Sequence, residues 1–268
     1  MEQSAVRPHE GKSDSSTRLA QTLTVIIIAG NEEEDLPACL RSIEPLGCRV
    51  ALIDGGSQDA TARIARQAGA DVVNRPFDNF PNQRSFAYEQ ATTPWILQID
   101  ADERLTGELC REITQTLERP AFDAYRLPFR VSFMGREMRF SGLGRQQVLR
   151  LFKKEAAQFQ KTRHVHESLD IPEHKIGVLT KHVRHRPYKD LAEYLAKCEW
   201  YTDLAAKDFV AAGKKLSWRH HLIPAWEFLH CYVLRLGFLD GFPGFAWAFL
   251  SAYHKRVRYA KVRQLLSQ

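Results

Sequence analysis

The chain has 268 residues, of which 44% are apolar and 26% charged; this excludes a disordered or fibrous polypeptide and leaves room for one large α/β domain with appendages or two small domains. Lys and Arg outnumber Asp and Glu by 38 to 32, so an anionic partner is expected: a nucleotide, a phosphorylated acceptor, a membrane surface or a nucleic acid. The cysteines Cys39, Cys48, Cys110, Cys198 and Cys231 have long, irregular spacings that suggest neither a disulfide framework nor a metal site, which fits a reduced, cytoplasmic compartment.

Residues 1–20 are polar and lack the apolar stretch of a secretory signal, so residues 1–21 are expected to form a disordered tail. Thr24-Val25-Ile26-Ile27-Ile28 is a β-branched run without alternation, as in a strand buried on both faces of a parallel sheet. The acidic residues Glu32 to Asp35 fit the first turn of a helix that continues to about Ile43. Arg49 to Asp54 reads as a second strand, and the turn Gly55-Gly56-Ser57-Gln58-Asp59 ends it. A helix over Thr61–Ala68 stops at Gly69, a third strand covers Asp71–Asn74, a helix covers Asn82–Gln90, and a fourth strand covers Pro94–Asp100. This order predicts an α/β fold with a mostly parallel sheet and helices on both faces. Ligands of such sheets bind beyond the carboxyl ends of the strands, where Asp54, Asp59, Asp100 and Asp102 fall.

From Phe122 to Val183 the pattern is less regular. Tyr125–Arg130 and Val148–Phe152 read as strands, and Gly135, Gly142 and Gly144 suggest a mobile loop between them. From Pro187 onward the chain reads as helical and aromatic. Lys181–Gln268 holds 15 Lys and Arg against 7 Asp and Glu, so the basic surplus sits there.

Asp100-Ala101-Asp102-Glu103 follows a buried apolar strand, and two carboxylates at i and i+2 can converge on one hard cation. Such a cation holds a diphosphate and neutralises charge on it as it departs. Asp54 can accept hydrogen bonds from a base or ribose, and Gly55 and Gly56 allow the backbone a close approach to a flat ligand or phosphate. Ile28-Ala29-Gly30-Asn31-Glu32 ends the first strand at the same edge.

The segments TVIIIAGNEEEDLPACLRSI, VALIDGGSQDATARIARQAGA and NQRSFAYEQATTPWILQIDADERLT resemble the nucleotide-binding half of family 2 glycosyltransferases across residues 23–106. The resemblance implies the Rossmann-like GT-A fold and a nucleotide-sugar donor, with UDP as its nucleotide. It implies that Asp54 contacts the nucleobase, with Asn31 and Glu32 lining that pocket and Ser57 and Asp59 in the adjoining turn. Asp100 would approach the ribose or the metal, Asp102 would ligate Mn²⁺ or Mg²⁺, and Gln83 and Arg84 would lie near the diphosphate. VLRLFKK, HVHESL, GKKLSW and LRLGFLDGFPGFAWAFLSAYHKRVRYAK resemble the lipopolysaccharide-core subgroup over most of residues 146–262, which implies a glycolipid acceptor.

An inverting transfer needs a base to take the acceptor hydroxyl proton. Glu167 is the candidate, with His166 orienting it or reaching the diphosphate; Arg145 and Arg150 are candidates for holding a phosphorylated acceptor or the diphosphate. The expected organisation is thus a tail (1–21), a catalytic domain (22–186) and a helical, aromatic and basic region (187–268). In that last region two helices divided around Gly237–Gly244 would lie on the anionic inner membrane, giving a peripheral, cytoplasmic-side protein. An ordinary helical subdomain and a dimer interface are the other readings of the same helices. A transferase acting on a polyprenyl phosphate or another glycolipid is the nearest alternative for the whole chain. A nucleic-acid-binding module would need a basic stripe on a known binding motif, and none is present.

Overall fold

The computed structural model describes residues 19–156 and 171–267, and the chain divides into two units. The first comprises residues 19–127, 148–156 and 171–183. Its parallel strands are β1 (Leu23–Ala29), β2 (Arg49–Asp54), β3 (Asp71–Asn74) and β4 (Trp95–Asp100). Between and after them lie α1 (Leu36–Ile43), α2 (Thr61–Gln67), α3 (Phe80–Glu89), the short β5 (Glu103–Leu105) and α4 (Gly107–Glu118). β6 (Ala124–Phe133) and the two-residue β7 (Arg136–Glu137) follow, then β8 (Gln147–Lys153), β9 (Ile176–Val178) and β10 (Val183–His185).

The sheet begins in the order β3-β2-β1-β4-β8-β6. β1 lies between β2 and β4, parallel to both, and β8 runs antiparallel to β4. Central placement is why β1 reads as an unbroken apolar run: Val25, Ile26 and Ile27 are fully buried. Ile26, Ile53, Ile96 and Phe152 join one core cluster.

Helix α1 begins later than expected. Glu32–Asp35 precede it, and Pro37 supplies the fixed φ that suits a first turn. Asp35 makes no side-chain cap; its buried carboxylate is 2.9 Å from the Arg104 guanidinium instead. The tail expected to reach residue 21 is also shorter at its end, because Leu19 to Thr22 are helical and Leu19 is buried.

The second unit comprises residues 128–147 and 184–267, so 128–147, assigned from sequence to the first domain, belong here. The reason is a second core. Val131, Phe133, Met138 and Leu143 cluster with Tyr194, Cys198 and Leu250 of α5 (Leu191–Ala211) and α7 (Phe242–Leu266). The Tyr194 hydroxyl donates to the Leu250 carbonyl at 2.7 Å. Between these helices come α6 (Ile223–Leu229), a π turn over His230–Leu234 and a 3-10 turn over Gly237–Asp240.

The glycine-containing segment expected to be a mobile loop is pinned. Buried Asp240 accepts the Arg139 and Phe140 N–H groups at 3.1 and 2.9 Å, and the Ser141 N–H donates to the Arg235 carbonyl. Gly144 is required there, since a β-carbon would meet the Arg139 carbonyl oxygen at 1.9 Å. Among the described residues, no helix is long and apolar enough to cross a membrane.

Candidate active site

The register of the parallel strands brings the candidate donor residues to one edge of the first unit. Asp54 pairs with Ala29 across β2 and β1, and Asp100 pairs with Ile28 across β4 and β1. Strand ends leave their next residues pointing past the sheet, which is where the three polar turns begin.

The first two turns are tied together by reciprocal hydrogen bonds. Asn31 takes the left-handed conformation at φ 57°, which asparagine tolerates well. Its Oδ1 accepts the Gln58 N–H at 2.8 Å while its own N–H donates to Ser57 Oγ at 2.9 Å. Glu33 and Asp59 repeat the exchange: the Glu33 N–H donates to Asp59 Oδ2 at 3.0 Å, and the Ala60 N–H donates to Glu33 Oε2 at 3.0 Å. The Glu32 N–H reaches Thr61 Oγ1 at 2.8 Å, and buried Asp54 accepts the Ser57 N–H at 3.0 Å. Burial alone would raise the Asp59 pKa, but hydrogen bonds from Thr61 and Glu33 outweigh it and hold the carboxyl below its usual range.

The third turn is an ion-pair cluster. Asp100 Oδ2 lies 2.6 Å from Arg150 Nη2, and the same guanidinium pairs with Glu103, whose Oε2 accepts the Asp100 N–H at 3.0 Å. Arg150 and Glu103 are buried, whereas the Asp100 side chain is 38% exposed and Asp102 is half-buried. Burial works against the Arg150 charge, but Asp100 and Glu103 outweigh it and raise its pKa. Arg104 secures the far side of the turn, donating to the Ala101 carbonyl at 2.6 Å and to the Asp35 carboxylate at 2.9 Å. Beneath the turn the Cys39 thiol contacts the Asp100 carbonyl at 3.6 Å, and burial pushes its pKa up to about 12.

Gln83 is fully buried. Its side-chain amide is engaged by Arg75, accepting from the guanidinium and donating to the Arg75 carbonyl at 3.2 Å. Arg84 leans over the Phe80 ring at 5.9 Å. Arg145 is exposed in the second unit, and His166 and Glu167 lie outside the described residues. Sequence reasoning did not give Glu33, Thr61 or Glu103 a role. For Glu103 a signal existed: a lone arginine within the apolar run Val148–Phe152 requires a buried acid, and Glu103 stands beside Asp100 in sequence.

Hard carboxylate oxygens at the mouth of this edge suit Mn²⁺ or Mg²⁺. Asp102 would hold the ion together with Asp100, whose side chain is partly exposed.

A family model described as glycosyl transferase family 2 matches residues 24–169. An uncharacterized glycosyltransferase of Rickettsia bellii (strain RML369-C) is 30% identical over 267 residues, covering 94% of this chain and 90% of that one. The lipopolysaccharide core biosynthesis glycosyltransferase LpsC of Rhizobium meliloti (strain 1021) is 28% identical over 254 residues, covering 89% of this chain and 93% of that one. Among solved structures, the glucosyl-3-phosphoglycerate synthase of Mycobacterium tuberculosis, in complex with Mn²⁺, UDP and glucosyl-3-phosphoglycerate, is similar in fold. Its TM-score is 0.50 at 17% identity, with 80% of this chain and 88% of that one covered.

Proposed function

The chain belongs to glycosyl transferase family 2 and is a glycosyltransferase of the GT-A fold. From that premise we propose that it moves a sugar, with inversion and with a divalent metal, from a UDP-sugar to a lipopolysaccharide-core glycolipid at the cytoplasmic face of the inner membrane. The observation that carries the donor half is the carboxylate edge, where Asp54 and the Asp100–Asp102 turn end strands flanking β1. The Mn²⁺ and UDP named for the mycobacterial synthase support the same pair of ligands here. The role named for LpsC supports the acceptor, and the basic surplus of residues 181–268 supports the membrane surface.

Each residue then has a task. Asp54 holds its turn through Ser57 and offers its second oxygen to the nucleobase, beside Asn31 and Glu32. Arg150 fixes the Asp100 carboxylate, so that Asp100 meets the ribose or metal in one orientation. Asp102 binds the cation, which when bound stabilises the charge on the departing diphosphate. Gln83 keeps Arg75 in place, and Arg84 stands by the diphosphate. Glu167 takes the proton from the acceptor hydroxyl, and His166 orients it.

The test is UDP release from a panel of UDP-sugars, with a lipopolysaccharide-core acceptor and with Mn²⁺ or a chelator. Release from one donor that needs metal, falls at least ~100-fold in Asp102→Asn and falls similarly in Glu167→Gln with UDP binding retained, is expected. Metal-independent release, or full turnover in Asp102→Asn, would reject the metal site. Full turnover in Glu167→Gln would reject the base.

A further inference from the structure

The second unit turns large apolar side chains outward along two helical stripes. Leu222, Trp226 and Leu229 follow one another at spacings of four and three residues, so they share one face of α6, and Trp226 is 57% exposed. Phe242, Phe245 and Phe249 repeat the arrangement on α7, and Phe242 is 67% exposed. The two helices that carry the stripes pack together, through half-buried Phe228 and Tyr232, whose rings lie 5.9 and 5.8 Å from that of Phe245. A helix on a globular surface normally hides its apolar stripe, and a continuous exposed patch marks an interaction surface.

The charges beside the patch identify its partner. Arg219, just before α6, Arg235, after the π turn, and Arg256, seven residues beyond Phe249 and so on its side of α7, are all exposed. The acids of the same elements are withdrawn: Asp240 is buried on the backbone of Arg139 and Phe140, and Glu227 is half-buried. A second copy of the chain would set this basic rim against itself across a two-fold axis. An anionic lipid leaflet complements both parts, with acyl chains against the stripes and headgroups against the arginines.

We infer that the α6–α7 face inserts shallowly into an anionic leaflet, and that this apolar contact, beyond long-range attraction by the basic C-terminal residues, holds the protein at the membrane. The inference rests on the glycolipid acceptor proposed above, which requires the enzyme to work at a bilayer surface.

The experiment is co-sedimentation of the full chain with vesicles of one part phosphatidylglycerol to three parts phosphatidylethanolamine, at about 0.1 M and about 0.5 M NaCl. Size-exclusion chromatography and UDP calorimetry accompany it. The wild-type protein is expected to bind at low salt and to keep part of its bound fraction at high salt. Trp226→Glu with Phe249→Glu should lower partitioning at least ~10-fold at both salts, with UDP binding unchanged. Arg235→Gln with Arg256→Gln should remove only the salt-sensitive part. Wild-type-like sedimentation of W226E/F249E overturns the inference, as does absence of wild-type binding to these vesicles. A wild-type dimer that the same pair of substitutions splits, with no vesicle binding, makes the face a subunit contact instead. Vesicle binding without UDP binding sinks the donor reading and leaves this one standing.

Discussion

Arg150 is the side chain that ties the Asp100 turn together. It sits buried between Asp100 and Glu103, and Glu103 is itself buried. Removing one partner of such a cluster leaves carboxylates uncompensated in a medium of low dielectric, at a cost of about 3–5 kcal/mol. Arg150→Met is therefore expected to lower the thermal midpoint sharply, and Arg150→Lys to fall between, because an ammonium cannot reproduce the planar fork. A wild-type melt for Arg150→Met would show that the cluster does not support the turn. The arginine was visible in sequence as a charge inside an apolar strand, but its partners were not. They lie 47 and 50 residues away and meet it only through the antiparallel pairing of β4 and β8.

Asp59 gives a second test at this scale. Its folded pKa lies below the unfolded reference of 3.8, so its stabilisation is present above that value and is lost as pH falls through the folded pKa. The gap in thermal midpoint between wild type and Asp59→Asn should be widest near neutrality and close below about pH 4. A gap that is constant with pH would contradict the assignment.

At the scale of elements, the parallel strands were legible because each is a short apolar run bounded by glycine or a polar cluster. The start of α1 was misread because acidic residues suit a first turn on electrostatic grounds, while Pro37 and the pull of Arg104 on Asp35 decide the boundary. The 128–147 segment was misassigned because β6 is long enough to begin in one core and end in another, a distinction that composition does not carry. Asp240 anchors that segment through two N–H groups. Asp240→Ala strands both donors and should cost about 2 kcal/mol in urea unfolding, with Asp240→Asn milder because it keeps one acceptor. An unchanged midpoint in Asp240→Ala would mean that the segment is held by its apolar contacts alone.

For the whole molecule, the five cysteines are free, four of them buried and Cys48 half-buried. Burial pushes Cys39 and Cys48 up to about 12 and Cys110 up to about 11, so little thiolate forms near pH 8. Native protein is expected to resist iodoacetamide at these three residues, and its melting should not respond to dithiothreitol. Rapid alkylation of Cys39 without unfolding would contradict the packing beneath the Asp100 turn. At this scale the family and its fold were legible, since they reside in continuous motifs at strand ends. The apolar face of the second unit was legible as composition only. Its outward orientation depends on which helical stripe packs against α5, and only the folded chain decides that.

The exchange of hydrogen bonds between the Asn31 and Ser57 turns, repeated between Glu33 and Asp59, means that these two turns are set against each other when the chain folds. On the donor reading proposed above, nucleotide capture would order little backbone, so its rate would be set by encounter and its temperature dependence would stay shallow. The same lacing couples the two loops, so that a change at Asn31 or Asp59 disturbs two turns at once.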